Sequence, residues 1–281
     1  MGLLNDAEFN RLASFIYREV GIKMPPGKKT MLEARLLKRL RILKLPDYKS
    51  YCDYLFSPAG MTAELHQLID VVTTNTTDFF REPKHFELLQ QNLLPHLANG
   101  PCRGRTLRVW SAGCSIGMEP YTLAMVLAEF RERTPGFRFS ILATDISTQA
   151  LEKARAAVYD EERVAPVPKH LKFKYLLRSK DRSRGLVRVV PELRQLVTFQ
   201  RLNFMEEFSF PDPMDIIFCR NVIIYFDRPT QEVLFQKFCR CLRGGGFLFI
   251  GHSESITGMD LPLNQVAPTV YSRHATRRAD G

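Results

Sequence analysis

The chain has 281 residues, 45% of them hydrophobic and 25% charged, which suits a soluble globular protein of one large domain or two smaller ones and excludes a disordered, collagen-like or disulfide-stapled chain. Lys plus Arg number 40 against 30 Asp plus Glu, a formal charge of +10, and such an excess calls for an acidic partner: nucleic acid, anionic lipid or an acidic protein face. The six cysteines form no C-x-x-C pair, the histidines are scattered away from them, and no apolar run approaches the roughly 20 residues of a membrane-spanning helix. These features predict buried free thiols, a reducing cytoplasmic compartment, no metal site and no membrane insertion. Acids at Asp6 and Glu8, with no basic cluster, argue against a secretory leader.

The first hundred residues read as helices. LNDAEFNRLASFIYREVG repeats apolar residues at helical spacing and stops at Gly21. In KKTMLEARLLKRLRILKL, Leu32, Leu36, Leu40 and Leu43 share one face at ~100° per residue. Lys38 and Arg41 point the other way, with Lys28, Arg35 and Arg39 on the flank. DYKSYCDYLF and TAELHQLIDVV predict two more helices. The expected divisions are a helical domain over 1–75, a linker helix and loop over 76–105, and a catalytic domain over 106–281.

After GPCRGR the rhythm changes. LRVWSAG, FSILATD and MDIIFCRN are apolar strands alternating with the helices PYTLAMVLAEFRER, STQALEKARAAVY and RPTQEVLFQKFCRCL, and GGGFLFIGH reads as a glycine turn into a further strand. That alternation predicts βαβ units and a parallel sheet. Residues 160–200 interrupt it. KFKYLL, LVRVV and LVTFQRL read there as short antiparallel strands, an inserted β-subdomain joined by SKDRSRG. Residues 169–194 carry nine Lys and Arg against Asp181 and Glu192.

Ligands of open parallel sheets bind at the carboxyl ends of the strands. Three such ends stand out. WSAGCSIGMEPY offers a small-residue turn around Gly113 that lets a ligand approach the backbone, without the GK[ST] of a phosphate loop. Asp145 closes the second strand, where an acid can accept from a ribose diol or cap the next helix. Asn221 closes the third, as an adenine-edge reader or a turn residue, with Tyr225 beyond it.

Together with TTNTTDFFREPKHF upstream, these segments resemble the bacterial chemotaxis receptor methyltransferases, the CheR family, in order along nearly the whole chain. The resemblance implies an α/β fold: a Rossmann-like S-adenosylmethionine-dependent methyltransferase domain with a small antiparallel β-subdomain inserted, preceded by an all-helical N-terminal domain. It implies S-adenosylmethionine as donor, S-adenosylhomocysteine as product, and receptor glutamates as acceptors that become γ-glutamyl methyl esters. By position it implies Asn75, Thr77, Arg81, Gly113, Glu119, Asp145, Asn203, Phe204, Asn221 and Val222 as donor-binding residues. Met118 and Ile116 depart from the usual pattern around Glu119, and RLNFME departs from it around Asn203.

A glutamate carboxylate is already ionised at neutral pH, so it needs alignment and desolvation rather than a general base. Arg81 is the candidate to pair a carboxylate, and Tyr225 to border the transferred methyl. Arg35, Lys38, Arg39 and Arg41 are expected to recognise the acidic receptor. Arg182, Arg184 and Arg188 are expected to flank a ribbon edge near GLVRV that takes a receptor C-terminal peptide. A nucleic-acid methyltransferase is the enzymatic rival, although Asn221 is followed by Val-Ile-Ile rather than two prolines, and the expected partners exclude nucleic acid. A non-catalytic adenosyl-binding scaffold is the other alternative.

Overall fold

A computed structural model describes residues 3–274. Helix α1 (Asp6–Val20) begins at Asn5, whose side chain accepts from the Glu8 N–H while the Glu8 carboxylate accepts from the Asn5 N–H, and it ends at Gly21 with φ 71°. This reciprocal cap satisfies two donors the helix would leave open. Helix α2 (Lys29–Leu43) buries Leu32, Leu36 and Leu40. Asp47 and Ser57 cap α3 (Tyr48–Leu55) and α4 (Pro58–Val72). The α2 leucines join Phe9, Leu12, Tyr51 and Leu68 in a core that continues into one face of the sheet through Trp110 and Leu248.

Helix α5 (Pro83–Leu88), a π-helical turn at Leu89–Leu93 and α6 (Leu94–Asn99) lead into the sheet. Phe86, Leu89 and Leu94 of these elements, with Phe79 just before them, pack in the same core as Val109 and Leu123, so the stretch expected as a linker lies against the catalytic domain. The order continues with β1 (Thr106–Ala112), α7 (Met118–Arg133), β2 (Arg138–Asp145), α8 (Thr148–Ala156), β3 (Val158–Asp160), α9 (Lys169–Tyr175), β4 (Leu176–Arg178), β5 (Leu186–Val189), α10 (Pro191–Arg194), β6 (Val197–Arg201), β7 (Met214–Cys219), α11 (Arg228–Cys241), β8 (Leu242–Ile250), β9 (Leu263–Ala267) and β10 (Val270–Arg273).

Seven strands form one sheet in the order β6-β2-β1-β7-β8-β10-β9. The first five run parallel, while β10 is antiparallel to both β8 and β9. Every residue of β7 is buried, and they alternate between layers: Ile216 and Phe218 enter one core, Ile217 and Cys219 the other. A strand covered on both faces reads as an unbroken apolar run.

The inserted region departs from its sequence reading. Lys169–Tyr175 is a helix, because Leu171 and Tyr175 are buried four residues apart rather than alternating. Val197–Arg201 is the parallel edge strand of the main sheet, in register with Ile141–Asp145. The antiparallel subdomain is therefore β3-β5-β4, with Leu186–Val189 in its middle. Its open edges are β3 and β4, so GLVRV is not an edge. Gly244, Gly245 and Gly246 lie within β8 rather than in a turn before it. The β9–β10 hairpin, short and partly exposed, had no counterpart in the sequence reading.

Candidate active site

The strand order reverses at β1, with β2 on one side and β7 on the other. The loops at these carboxyl ends splay apart and leave a crevice. A cleft with about 1080 Å³ of empty space, its solvent-filled mouth included, opens there. Gly113, Ser115, Asp145, Asn203, Phe204, Asn221, Val222 and Tyr225 line it from the strand ends, with Glu119 from the start of α7. Asn75, Thr77 and Arg81 line it from the strap after α4, and Lys28 from the turn before α2. The cleft thus brings together every donor-binding candidate and both catalytic candidates.

Asp145 is buried at 9% exposure. Its Oδ2 accepts from the Ser115 N–H at 2.7 Å and its Oδ1 from the Ser147 N–H at 2.9 Å. A carboxylate offers about four acceptor positions, so capacity for a diol remains. Burial pushes its pKa above the usual carboxylate value, opposed by the N–H groups of Ser147, Ser115 and Ile146. The helix-cap role belongs instead to Ser147, whose hydroxyl accepts from the Ala150 N–H. Ser115 also donates through Oγ to the Asn75 carbonyl at 3.0 Å, tying the strap to the glycine turn.

Glu119 is held on both oxygens: Oε1 accepts from Ser111 Oγ at 2.7 Å and Oε2 from Arg220 Nε at 2.8 Å. Arg220, absent from the sequence-derived set, is the hub of the cleft wall. Its Nη1 donates to the Arg81 carbonyl at 2.7 Å and contacts Glu82 Oε2 at 3.3 Å and His85 Nδ1 at 3.2 Å. A charged residue closing an apolar strand was the available signal. Glu82, His85 and His252 bring possible metal-ligand atoms within 4.8 Å of one another, the one such group among the described residues. Arg220 already donates to two of the three, so a cation occupies the position of charge. Burial, then Arg220, depresses the His85 pKa to about 4. The Glu82 pKa is also lowered: the His252 N–H and Arg220 outweigh the effect of its burial.

Backbone strain concentrates here. Phe80, Glu82, Ser115 and Asn221 all have φ between 50° and 59° without being glycine, an arrangement typical of functional walls. Gly113, at φ 81°, leaves room for Val222: a Cβ would lie 2.5 Å from Val222 Cγ2. Asn203 spends its amide on the Glu19 carbonyl at 2.9 Å and its oxygen on the Met205 N–H at 3.1 Å. Phe204 packs edge-on to Trp110 and Phe238. Arg81 donates to the Thr76 carbonyl at 3.2 Å. Lys28 Nζ stands 5.7 Å from the centre of the Tyr225 ring.

The residues expected to recognise the receptor do not line the cleft, and they separate into two kinds. Arg39 forms a two-pronged ion pair with buried Glu64 at 2.8 and 2.7 Å. Arg35 donates to the Val72 and Thr73 carbonyls at 2.6 and 3.1 Å and to Thr74 Oγ1 at 3.0 Å. Both guanidinium groups are committed internally, whereas Lys38 and Arg41 are exposed. Arg182, Arg184 and Arg188 are exposed on the β-subdomain, with Arg188 Nε donating to the Ala156 carbonyl.

A parallel sheet with an acid closing its second strand and a cleft at the reversal is an architecture that S-adenosylmethionine-dependent methyltransferases share with other nucleotide-binding folds, and the family match selects the methyltransferases. Residues 75–272 match the CheR methyltransferase SAM-binding domain, and residues 7–73 match the CheR methyltransferase all-alpha domain. The chain belongs to the CheR methyltransferase family. It is 40% identical to a chemotaxis protein methyltransferase of Borreliella burgdorferi over 95% of this chain and 94% of that protein. It is 39% identical to the chemotaxis protein methyltransferase of Escherichia coli over 96% and 91% of the two chains. The corresponding figures are 39%, 94% and 92% for chemotaxis protein methyltransferase 2 of Pseudomonas aeruginosa.

Proposed function

We infer that this protein methylates glutamate side-chain carboxylates of chemotaxis receptors, forming γ-glutamyl methyl esters for adaptation. The observation that supports this reading is one cleft that joins a buried carboxylate, Asp145, to cationic side chains, Arg81 and Lys28, suited to an anionic acceptor. S-adenosylmethionine, when bound, supplies an electrophilic methyl group. Asp145 is suited to accept from the ribose hydroxyls, and Asn221 and Val222 to flank the base. Arg81 is suited to hold a carboxylate, and Tyr225 to shield the reacting atoms from water. The acceptor arrives ionised, so the residues align two charged partners and exclude solvent rather than move a proton.

Lys38 and Arg41 are the exposed cations of α2 that suit an acidic receptor bundle. The open edge of β4, beside exposed Phe173 (77%) and Leu177 (51%), suits an extended tail peptide better than the central strand does. Among the described residues no helix is long and apolar enough to cross a membrane, and the reading places the enzyme at the cytoplasmic portion of its receptors. The decisive experiment incubates the protein with labelled S-adenosylmethionine and isolated receptor cytoplasmic domains. Label released as methanol by mild base, and lost when the target glutamates become alanine, supports the reading. Base-stable label, or label in nucleic acid alone, sinks it.

A further inference from the structure

The turn after β7 forms part of the cleft wall, and the loop after β8 packs behind it. Asn221 sits at φ 59°, a left-handed conformation. Gly251 approaches it so closely that a Cβ would lie 2.5 Å from Asn221 Nδ2 and 2.8 Å from its backbone nitrogen. Glu254 reaches between them, and its residue exposure is only 7%. Its Oε1 accepts from the Val222 N–H at 2.9 Å and the Ile223 N–H at 3.0 Å; its Oε2 accepts from the Gly251 N–H at 2.5 Å. No Lys, Arg or His pairs with it among the described residues. A buried carboxylate without a cation is costly unless its oxygens are hydrogen-bonded, and here backbone donors alone fill that role. Charge-assisted bonds of this kind are about twice as strong as neutral ones.

We propose that Glu254 is a positioning residue for methyl transfer: its carboxylate clamps the backbone of the 221–223 turn to the end of β8, and so sets where Asn221, Val222 and Tyr225 face the donor. The proposal rests on the reading of the cleft as the S-adenosylmethionine site. Glu254 does not line the cleft, so it acts through the turn. Burial raises its pKa while the Gly251, Asn221, Val222 and Ile223 N–H groups favour its charge. Glu254→Gln keeps the shape but turns an amide N–H toward one of the three donors, so the turn is held at one loop and released at the other.

The test measures S-adenosylhomocysteine affinity, receptor KM and thermal unfolding for the wild type, Glu254→Gln and Glu254→Asp. The expected result is a Kd for S-adenosylhomocysteine raised about tenfold or more in Glu254→Gln, with receptor KM unchanged in the protein that remains folded. Glu254→Asp, which keeps the charge one methylene back, should recover part of that affinity. A lowered Tm with wild-type Kd would assign Glu254 to stability alone and overturn the proposal. Should neither variant fold, amide exchange in the wild type decides: Val222, Ile223 and Gly251 must exchange slowly without ligand, and fast exchange overturns the clamp. Failure of the wild type to bind S-adenosylhomocysteine sinks the underlying reading and the proposal with it; wild-type binding with an indifferent Glu254 sinks only the proposal.

Discussion

Arg220 Nε donates to Glu119 Oε2 across 2.8 Å although the two residues lie 101 positions apart. The pair locks the start of α7 to the end of β7 within the cleft wall. Both residues are less than 10% exposed, and without Glu119 the Arg220 guanidinium keeps only the 3.3 Å contact with Glu82 as an ion pair. Glu119→Ala should lower stability by about 1–3 kcal/mol, read by urea unfolding, and weaken donor binding as well. A donor effect with full stability would show Glu119 serving the ligand without supporting the wall.

Asp145→Ala removes the acceptor at the end of β2 and orphans the Ser115 and Ser147 N–H groups. A charged hydrogen bond of this kind is worth about 1.5–3 kcal/mol, so calorimetry should show S-adenosylhomocysteine affinity falling roughly ten- to a hundredfold. Unchanged affinity would leave Asp145 as a brace for the Ser115 turn only.

The basic helix yields opposite outcomes for adjacent residues. Reversing Lys38 and Arg41 to Glu should raise receptor KM severalfold, leave donor affinity intact and reduce the salt dependence of the rate. Arg39→Ala should instead lower Tm, since it leaves Glu64 buried without its cation. Arg35→Ala should weaken donor binding, because Arg35 holds residues 72–74 at the root of the strap. Receptor KM shifts confined to Arg35 and Arg39 would reverse this assignment.

The β4 edge offers a separable test. Phe173→Ser combined with Leu177→Lys should abolish binding of an aromatic-acidic receptor tail peptide and leave S-adenosylhomocysteine binding unchanged. If the wild type binds no such peptide, α2 alone supplies receptor recognition.

Acid should destabilise the fold through His85, which has an unperturbed value of 6.5 and titrates near 4 in the folded protein. Below pH 6.5 the unfolded chain takes up a proton that the folded chain refuses, so stability falls as pH drops from about 6.5 toward 4. Above 6.5 the group makes no difference. Urea unfolding across this window should show a shallower decline in His85→Gln than in the wild type; parallel curves would place the acid lability elsewhere.

Local pattern was enough for much of this protein. A period of 3.6 placed the helices and unbroken apolar runs placed the buried strands, and turn residues such as Gly113 and Asn221 marked the strand ends that open on the cleft. Those features are written in neighbouring residues, because hydrogen bonding and burial of one strand or helix depend on spacings of a few positions. What spacing did not reveal was who meets whom. Lys38 and Arg39 are adjacent, yet a rotation of ~100° along the helix sends one to solvent and the other onto Glu64. Val197–Arg201 has the composition of a ribbon strand, but pairing with β2 made it an edge of the main sheet. Arg220 and Glu254 gained their roles only when distant loops converged and a buried charge had to find its partners across the fold.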